Sequence, residues 1–287
     1  MLSGVLLVDK PKGMTSMEVV EGIKKRFKVK AGHSGTLDPI ATGLLLVLIN
    51  EATKFSQFFT SLDKAYTAVA KLGEITDSYD AEGEVLEIRP LQASCEDVKS
   101  ALKNLTGKIL QKPPPFSAKR VRGKRAYELA RKGIKVDIKP VEVHVYKAEM
   151  RECNLPYVSL YFEVSSGTYI RSLVHQLGFD LSCGAHLVEL RRLRIGSFGV
   201  ERAIGYHRLM SLEDLAGLLI PVGDALAFLP KVNLNKEFSR RIRHGLPIRL
   251  EKSYERTFLR LYEGDSFLGV GLIEDNMLKP YRLMREP

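Results

Sequence analysis

The chain has 287 residues, 45% of them hydrophobic, enough to bury a core for one large unit and a small one. Its longest clean apolar run, GLLLVLI at 43–49, falls far short of the roughly 20 residues of a membrane span, and MLSGVLLVDKPKG carries its charges after a short apolar run, unlike a signal peptide; a cytoplasmic protein with no membrane partner is expected. The formal charge of +10 points to a polyanion as partner, because clustered Lys and Arg gain affinity by releasing counterions from phosphates.

In chain order, VLLV (5–8) reads as a buried strand ended by the turn KPKG. Thr15 to Glu18 form a capping box, opening a helix with Val19, Val20, Ile23 and Phe27 on one face. The loop GHSGTLDPIATG (32–43) leads into the strand LLLVLI. AYTAVAKL (65–72) is another strand, and EITDSYDAEGEVLE a loop leading into a strand. Ser94 starts a helix with Val98, Leu102 and Leu105 in step. QKPPPFSAKRVRG (111–123) is irregular around its prolines. A short basic helix, KRAYELARKG (124–133), stops at Gly133. VEVHVYKAEM and YVSLYFEVS alternate as strands and form a hairpin. TYIRSLVHQLGFDLS is a helix after Gly167, HLVELRRLRIGSFG a strand, and SLEDLAGLL a short helix capped by Ser211. Beyond a boundary near Pro230, turn signals at 263–265 and 274–276 mark a small β-rich module. The interleaved pattern predicts an α+β fold with a mixed, largely antiparallel central sheet flanked by helices.

Cys95, Cys153 and Cys183 include no C-x-x-C pair, and the six histidines no H-E-x-x-H, so buried thiols are expected, without a disulfide or a metal site. From Gln111 to Lys135 there are nine basic residues against one acid, Glu128, and Arg191, Arg192 and Arg194 form a second knot. Such local excess favours nucleic acid over general solubility.

Within GHSGTLDPIATG there is no G-x-x-x-x-G-K-[ST] or G-x-G-x-x-G, so a nucleotide loop is excluded there. Asp38 has no second carboxylate close in sequence; Asp77 and Asp80 lie in another loop. Such a lone acid is either a turn or cap residue, or a nucleophile or general base. The second role needs an ionised, aimed carboxylate and hence a cation. Arg171, in GTYIR (167–171), is the candidate, placed in a first helical turn where the dipole disfavours a cation. Tyr66 is either a core residue or a platform for stacking a base.

LLVDKPKGMTS (6–16), GHSGTLDPIATGLLLV (32–47), EATKFSQF (51–58), KAYTAVAKLGEITDSYDAEG (64–83), QKPPPFSAKRVRGKRAYELARKG (111–133) and SSGTYIRSLVHQLGFDLSCGAHLVELRRL (165–193) together resemble the TruB family of bacterial tRNA pseudouridine-55 synthases. The resemblance spans about residues 4–200 in order. It implies a pseudouridine synthase fold with a catalytic domain over 1–230, an RNA-clamping insertion at about 108–140, and a PUA-like RNA-binding domain over 231–287. It implies isomerisation of uridine 55 in the T-loop of tRNA, with base flipping and no cofactor or metal. Asp38 matches the catalytic aspartate, Tyr66 the stacking tyrosine and Arg171 the partner of the aspartate. Leu190 matches an apolar wall; Lys10, Pro11, Asp80 and Tyr169 match further residues of the site, and His33 a histidine associated with the flipped base. Lys119, Arg120, Arg122, Lys124, Arg125, Arg131, Arg191 and Arg192 are expected on RNA, which includes the T-arm and the acceptor end. A monomer without an obligatory protein partner is expected. The chain departs from the family pattern at Ser34, Asn50, Gln176 and Ser182. A guide-dependent relative of the dyskerin type and a non-catalytic RNA-binding or RNA-folding protein are the competing readings, and a folding-helper role can coexist with activity.

Overall fold

The computed structural model describes residues 2–117, 119–121, 124–125, 138–250 and 255–285. Strand β1 (Gly4–Lys10) precedes helix α1 (Ser16–Phe27). The predicted cap is present: the Glu18 N–H donates to the Thr15 hydroxyl at 3.1 Å, and the Thr15 N–H donates to the Glu18 carboxylate at 2.7 Å. Next come β2 (Ala31–Ser34), β3 (Ala41–Ile49), α2 (Ser56–Thr60), β4 (Lys64–Leu72), β5 (Glu74–Thr76) and β6 (Val85–Ile88). Then follow α3 (Cys95–Asn104), β7 (Gly107–Gln111), β8 (Arg120–Val121), β9 (Lys124–Arg125), β10 (Val141–Asn154) and β11 (Tyr157–Val164). Helix α4 (Ile170–Asp180), β12 (Ala185–Ile195), β13 (Phe198–Gly199), β14 (Ile204–Gly205), α5 (Tyr206–Met210) and α6 (Val222–Ala225) complete the first 230 residues.

Ten strands form one sheet in the order β14-β1-β3-β12-β4-β11-β10-β7, with β2 on β3 and β13 on β12. The β1/β14 and β3/β12 pairs are parallel and the others antiparallel, as the α+β reading expects. Helices α3 and α4 bury Val98, Leu102, Leu173 and Leu177 against β4, β11 and β12, whereas α1 packs Val19, Val20 and Ile23 on β1 and β3. The register sets Gly43 of β3 beside Arg192 of β12, and Arg192 beside Tyr66 of β4.

A second sheet runs β15 (Lys231–Asn233), β17 (Phe258–Glu263), β18 (Ser266–Glu274), β19 (Met277–Leu283) and β16 (Ile248–Arg249), with α7 (Lys236–Arg243) against it. Its hairpins turn at Gly264–Asp265 and Asp275–Asn276, where the sequence signals turns. Phe258, Phe267, Val270 and Tyr281 share a cluster with Val5 and Leu44 of the first sheet and with Phe55 and Phe58 of the helical segment that follows β3.

Several expectations are corrected. Cys95 and Cys153 are joined as a disulfide between the start of α3 and the end of β10, and only Cys183 remains a buried thiol. The pairing joins positions 58 residues apart, a proximity made by the tertiary fold and absent from local spacing. SLEDLAGLL holds no helix: Ser211 ends α5, the Ala216 N–H donates to Asp214 at 2.6 Å, and Gly217 takes φ +77°. Such local side chain-to-backbone bonding competes with a helix. The 32–43 loop is trimmed at both ends by β2 and β3, and Glu74–Thr76 is itself a strand. The expected helix at 124–133 begins instead with the short strand β9, and its remaining residues lie outside the described ones.

Two departures from the family pattern, Asn50 (φ 52°) and Ser182 (φ 59°), adopt the left-handed conformation that suits glycine. Asn50 offsets the strain: its amide donates to the Leu2 carbonyl at 2.6 Å and accepts from the Lys30 N–H at 3.0 Å. Ser182→Gly is therefore expected to stabilise the protein by about 1 kcal/mol, and Asn50→Gly to destabilise it, both read by thermal or denaturant unfolding.

Candidate active site

A cavity of about 290 Å³ opens where the loop before β3, strands β4 and β12, and the start of α4 converge. Asp38, Tyr66, Tyr169, Arg171, Leu190 and Arg192 line it, so the structure brings six of the predicted residues together. Tyr66 and Leu190 are each 7% exposed and supply its aromatic and aliphatic walls.

Arg171 is the hub. Its guanidinium lies 2.9 Å from the Asp38 carboxylate and 3.1 Å from that of Asp80, and donates to the carbonyls of Ser78 (3.2 Å) and Phe116 (2.9 Å). Arg171 and Asp80 have side chains only 5% and 4% exposed. Asp80 also accepts from the Ser78 hydroxyl at 2.6 Å and the Glu82 N–H at 3.1 Å. Asp38 keeps 35% of its side-chain surface and lines both this cavity and a second one. Burial pushes its carboxyl above the ordinary value of 3.8; Arg171 pulls it down and Asp80 pushes it up again. Burial likewise raises the Glu82 carboxyl and the Tyr169 phenol.

The loop bearing Asp38 is gripped on both sides. The Ser16 hydroxyl donates to the Leu37 carbonyl at 3.0 Å and accepts from the Leu37 N–H at 2.8 Å. The Gly13 N–H donates to the Pro39 carbonyl at 2.8 Å. Lys10, fully buried, donates to the carbonyls of Pro11 and Met14, with that of Pro39 at 3.5 Å; burial lowers its ammonium to about 8. This explains Lys10 and Pro11 as supports beneath the loop. Gly43 is required here, since at φ +100° a Cβ would meet the Arg192 carbonyl at 2.3 Å.

A second cavity of about 740 Å³ shares Asp38 and Arg171 with the first and is also lined by His33, Ser78, Asp80, Glu82 and Ser117. The loop carrying Ser78 and Asp80 is fixed to β12 by two bonds, Ala81 N–H to the Leu187 carbonyl (2.8 Å) and Leu187 N–H to the Tyr79 carbonyl (3.0 Å). Tyr79 stacks on His175 of α4 with ring centroids 3.8 Å apart. On the other side of α4, the Gln111 amide clamps the Tyr169 backbone with bonds of 2.8 and 3.0 Å.

Arg192 is a correction. It is 1% exposed and donates to the carbonyls of Leu44 (2.7 Å), Gly35 (2.9 Å) and Thr36 (3.4 Å), so it mounts the loop from the wall of the first cavity and does not form an exposed phosphate-binding knot. Arg191 makes a bidentate pair with Asp9 at 2.7 and 3.0 Å while staying half-exposed. Lys119 is partly exposed, and Arg120, Lys124 and Arg125 fall in the two-stranded β8/β9 segment; Arg122 and Arg131 lie outside the described residues. Sequence reasoning missed Ser16, seen only as part of a cap, and Lys64, which also lines the first cavity. For Lys64 the signal was available: it lies two residues from Tyr66 on one strand and so shares its face.

Residues 23–170 match the TruB family pseudouridylate synthase (N terminal domain) model. Residues 171–227 match the tRNA pseudouridylate synthase B C-terminal domain, and residues 230–284 the C-terminal model of pseudouridine synthase II TruB. The chain is 45% identical over 286 residues to tRNA pseudouridine synthase B of Aquifex aeolicus (strain VF5), covering 99% of this chain and 100% of that protein. It is 41% identical over 295 residues to tRNA pseudouridine synthase B of Pasteurella multocida (strain Pm70), covering 99% and 96%. Among solved structures it is similar to a chain of an H/ACA RNP bound to a substrate RNA containing 2′-deoxyuridine, with TM-score 0.75 and 25% identity over 99% of this chain and 85% of that one. A chain of a Cbf5-Nop10-Gar1 complex matches with TM-score 0.72 and 30% identity, covering 94% and 78%.

The two acids on Arg171 are expected to differ in stability. A carboxyl raised by folding favours its neutral form, so the stability of that form is complete below the unfolded pKa and lost as pH rises through the folded one. Asp38 therefore carries a cost at pH 7, and Asp38→Asn should unfold at the wild-type temperature or above it, with the gain vanishing in acid. Asp80→Ala should lose about 3 kcal/mol, because it strands partners in a buried network. Unfolding followed across pH 3–8 checks both.

Proposed function

Because the chain belongs to the TruB family of pseudouridylate synthases, and is thus an RNA pseudouridine synthase acting on tRNA, we propose that its target is uridine 55 of the T-loop. The observation that carries this reading is the Asp38–Arg171 pair in a cavity also lined by Tyr66 and Leu190. Extruding a stacked uridine costs a few kcal/mol. Stacking on the Tyr66 ring and burial against Leu190 offset that cost.

Asp38, whose ionised form Arg171 supports against the effect of burial, initiates cleavage of the N1–C1′ bond. The base turns in the cavity, and C5 bonds to C1′. Atoms are conserved and nothing is oxidised, so the reaction calls for no redox or nucleotide cofactor. Residues 1–230 form the catalytic domain, with the basic stretch at about 108–140 clamping the T-arm and His33 meeting the opened loop. Residues 231–287 form a PUA-like domain that reaches the acceptor end. The enzyme works as a cytoplasmic monomer, without a guide RNA or an obligatory protein partner, and also assists tRNA folding.

A guide-dependent activity is the second reading, favoured by the likeness to chains from H/ACA and Cbf5 assemblies. Tritium release from C5-labelled, unmodified tRNA by the purified chain alone separates the two: release at stoichiometry near one per tRNA supports the stand-alone enzyme, and release only with added guide RNA or proteins supports the other. Asp38→Asn should abolish release while binding a T-stem-loop normally; retained turnover would remove Asp38 from the chemistry. Neutralising Lys119 and Arg122 together should weaken RNA binding and flatten its salt dependence by about two phosphate contacts, measured as the slope of log affinity against log salt.

A further inference from the structure

Two cations line the base cavity with no carboxylate at ion-pair distance among the described residues. Lys64 is 6% exposed, and its ammonium donates to the carbonyls of Thr60 at 2.6 Å and Leu62 at 2.5 Å. Arg192 is 1% exposed and also donates only to carbonyls. Asp63, next to Lys64 in sequence, accepts instead from the Tyr146 hydroxyl at 3.3 Å. Burial, then the charge of Arg192, pull the Lys64 ammonium down to about 8. Buried charges are ordinarily paired, because carbonyl dipoles restore only part of the lost hydration. Two unpaired cations beside one cavity make a standing receptor for an anion.

Their placement ties them to the base. Lys64 and Tyr66 share a face of β4, two residues apart, and the register sets Tyr66 against Arg192. The acids of the site, Asp38 and Asp80, are drawn to Arg171.

The reaction makes an anion at this place. When the N1–C1′ bond breaks, its electron pair leaves with the base, and the charge spreads over N1, O2 and O4 of uracil. That charge is consumed when C5 bonds to C1′; C5 then releases its proton and N1 gains one, so atoms and electrons balance. Resting on the proposed synthase reaction, we infer that Lys64 is a further catalytic residue, which together with Arg192 stabilises the detached uracil anion while it turns in the cavity.

A phosphate of the substrate backbone is the other anion such a receptor could hold, and the test separates the two. Lys64→Met in the full-length protein is compared with wild type on T-stem-loop RNAs carrying uridine or 5-fluorouridine at the target. Binding affinity and single-turnover loss of the starting nucleotide are measured. Fluorine stabilises the departing anion, so it lessens the need for Lys64. The expected result is a rate loss of about 100-fold on the uridine RNA, a loss at least several-fold smaller on the 5-fluorouridine RNA, and unchanged affinity. Equal losses on both RNAs would reduce Lys64 to structural support and overturn the inference. Weakened affinity with an intact rate would assign the cations to a phosphate, with the same consequence. If Lys64→Met does not fold, Lys64→Gln is carried through the same comparison: a loss that is smaller on the 5-fluorouridine RNA supports the assignment, and equal losses overturn it. Inactivity of the wild-type chain on the uridine RNA would instead withdraw the synthase reaction itself.

Discussion

The candidate active site depends on one buried guanidinium. Arg171 reaches from the first turn of α4 to two carboxylates and two carbonyls on three separate segments of the chain. A planar fork with fixed donors can serve four acceptors at once; a lysine ammonium cannot. The consequence is energetic coupling. The loop before β3, the β5–β6 loop and the proline-rich segment are docked to the same ion, so none can leave without stranding charge in a dry site. The Asp38 carboxylate, proposed to meet the substrate, is thus set in place without RNA, and binding energy is not consumed in assembling it.

The opposite side of the Asp38 loop is held by a different device. There the backbone carbonyls of Gly35, Thr36 and Pro39 face the cations Arg192 and Lys10. These cations take no carboxylate from the loop, so Asp38 keeps its own oxygen atoms for Arg171 and for the cavity. Rigidity comes from main-chain dipoles, which leave the Asp38 carboxylate free of the loop's own bonding. Strand β12 joins the two devices, since it carries Arg192 and Leu190 and also anchors the Tyr79–Ala81 segment through Leu187.

Local signals in the sequence matched the structure where the cause was local. The capping box at Thr15, the helix start at Ser94, the alternation of β10 and β11 and the apolar spacing of α4 depend on neighbours a few residues away. Asp38 and Arg171 were legible as a pair because a lone acid in a tight loop and a cation at the wrong end of a helix each need an explanation. Arg192 was misread because an arginine satisfied by carbonyls has no partner side chain to find, and the knot at 191–194 looks basic and exposed. The Cys95–Cys153 bridge was missed because only packing of α3 beside the end of β10 brings those positions together. The 211–219 segment failed for the reverse reason: a helical pattern was present, but Asp214 and Gly217 bend the chain away from it.

The aromatic contact between the two sheets bears on how the molecule comes apart. Phe55 meets Phe267 at 5.9 Å and Phe58 meets Phe258 at 5.1 Å, and the helical segment that carries Phe55 and Phe58 packs next to β2 and β3, the strands that flank the Asp38 loop. Truncation after Pro230 would therefore leave an oily wound on the remaining sheet, prone to self-association. The last sixty or so residues are not an appendage that can be shed; they are a lid over one side of the core, and heat or denaturant should melt the two sheets in a single cooperative step.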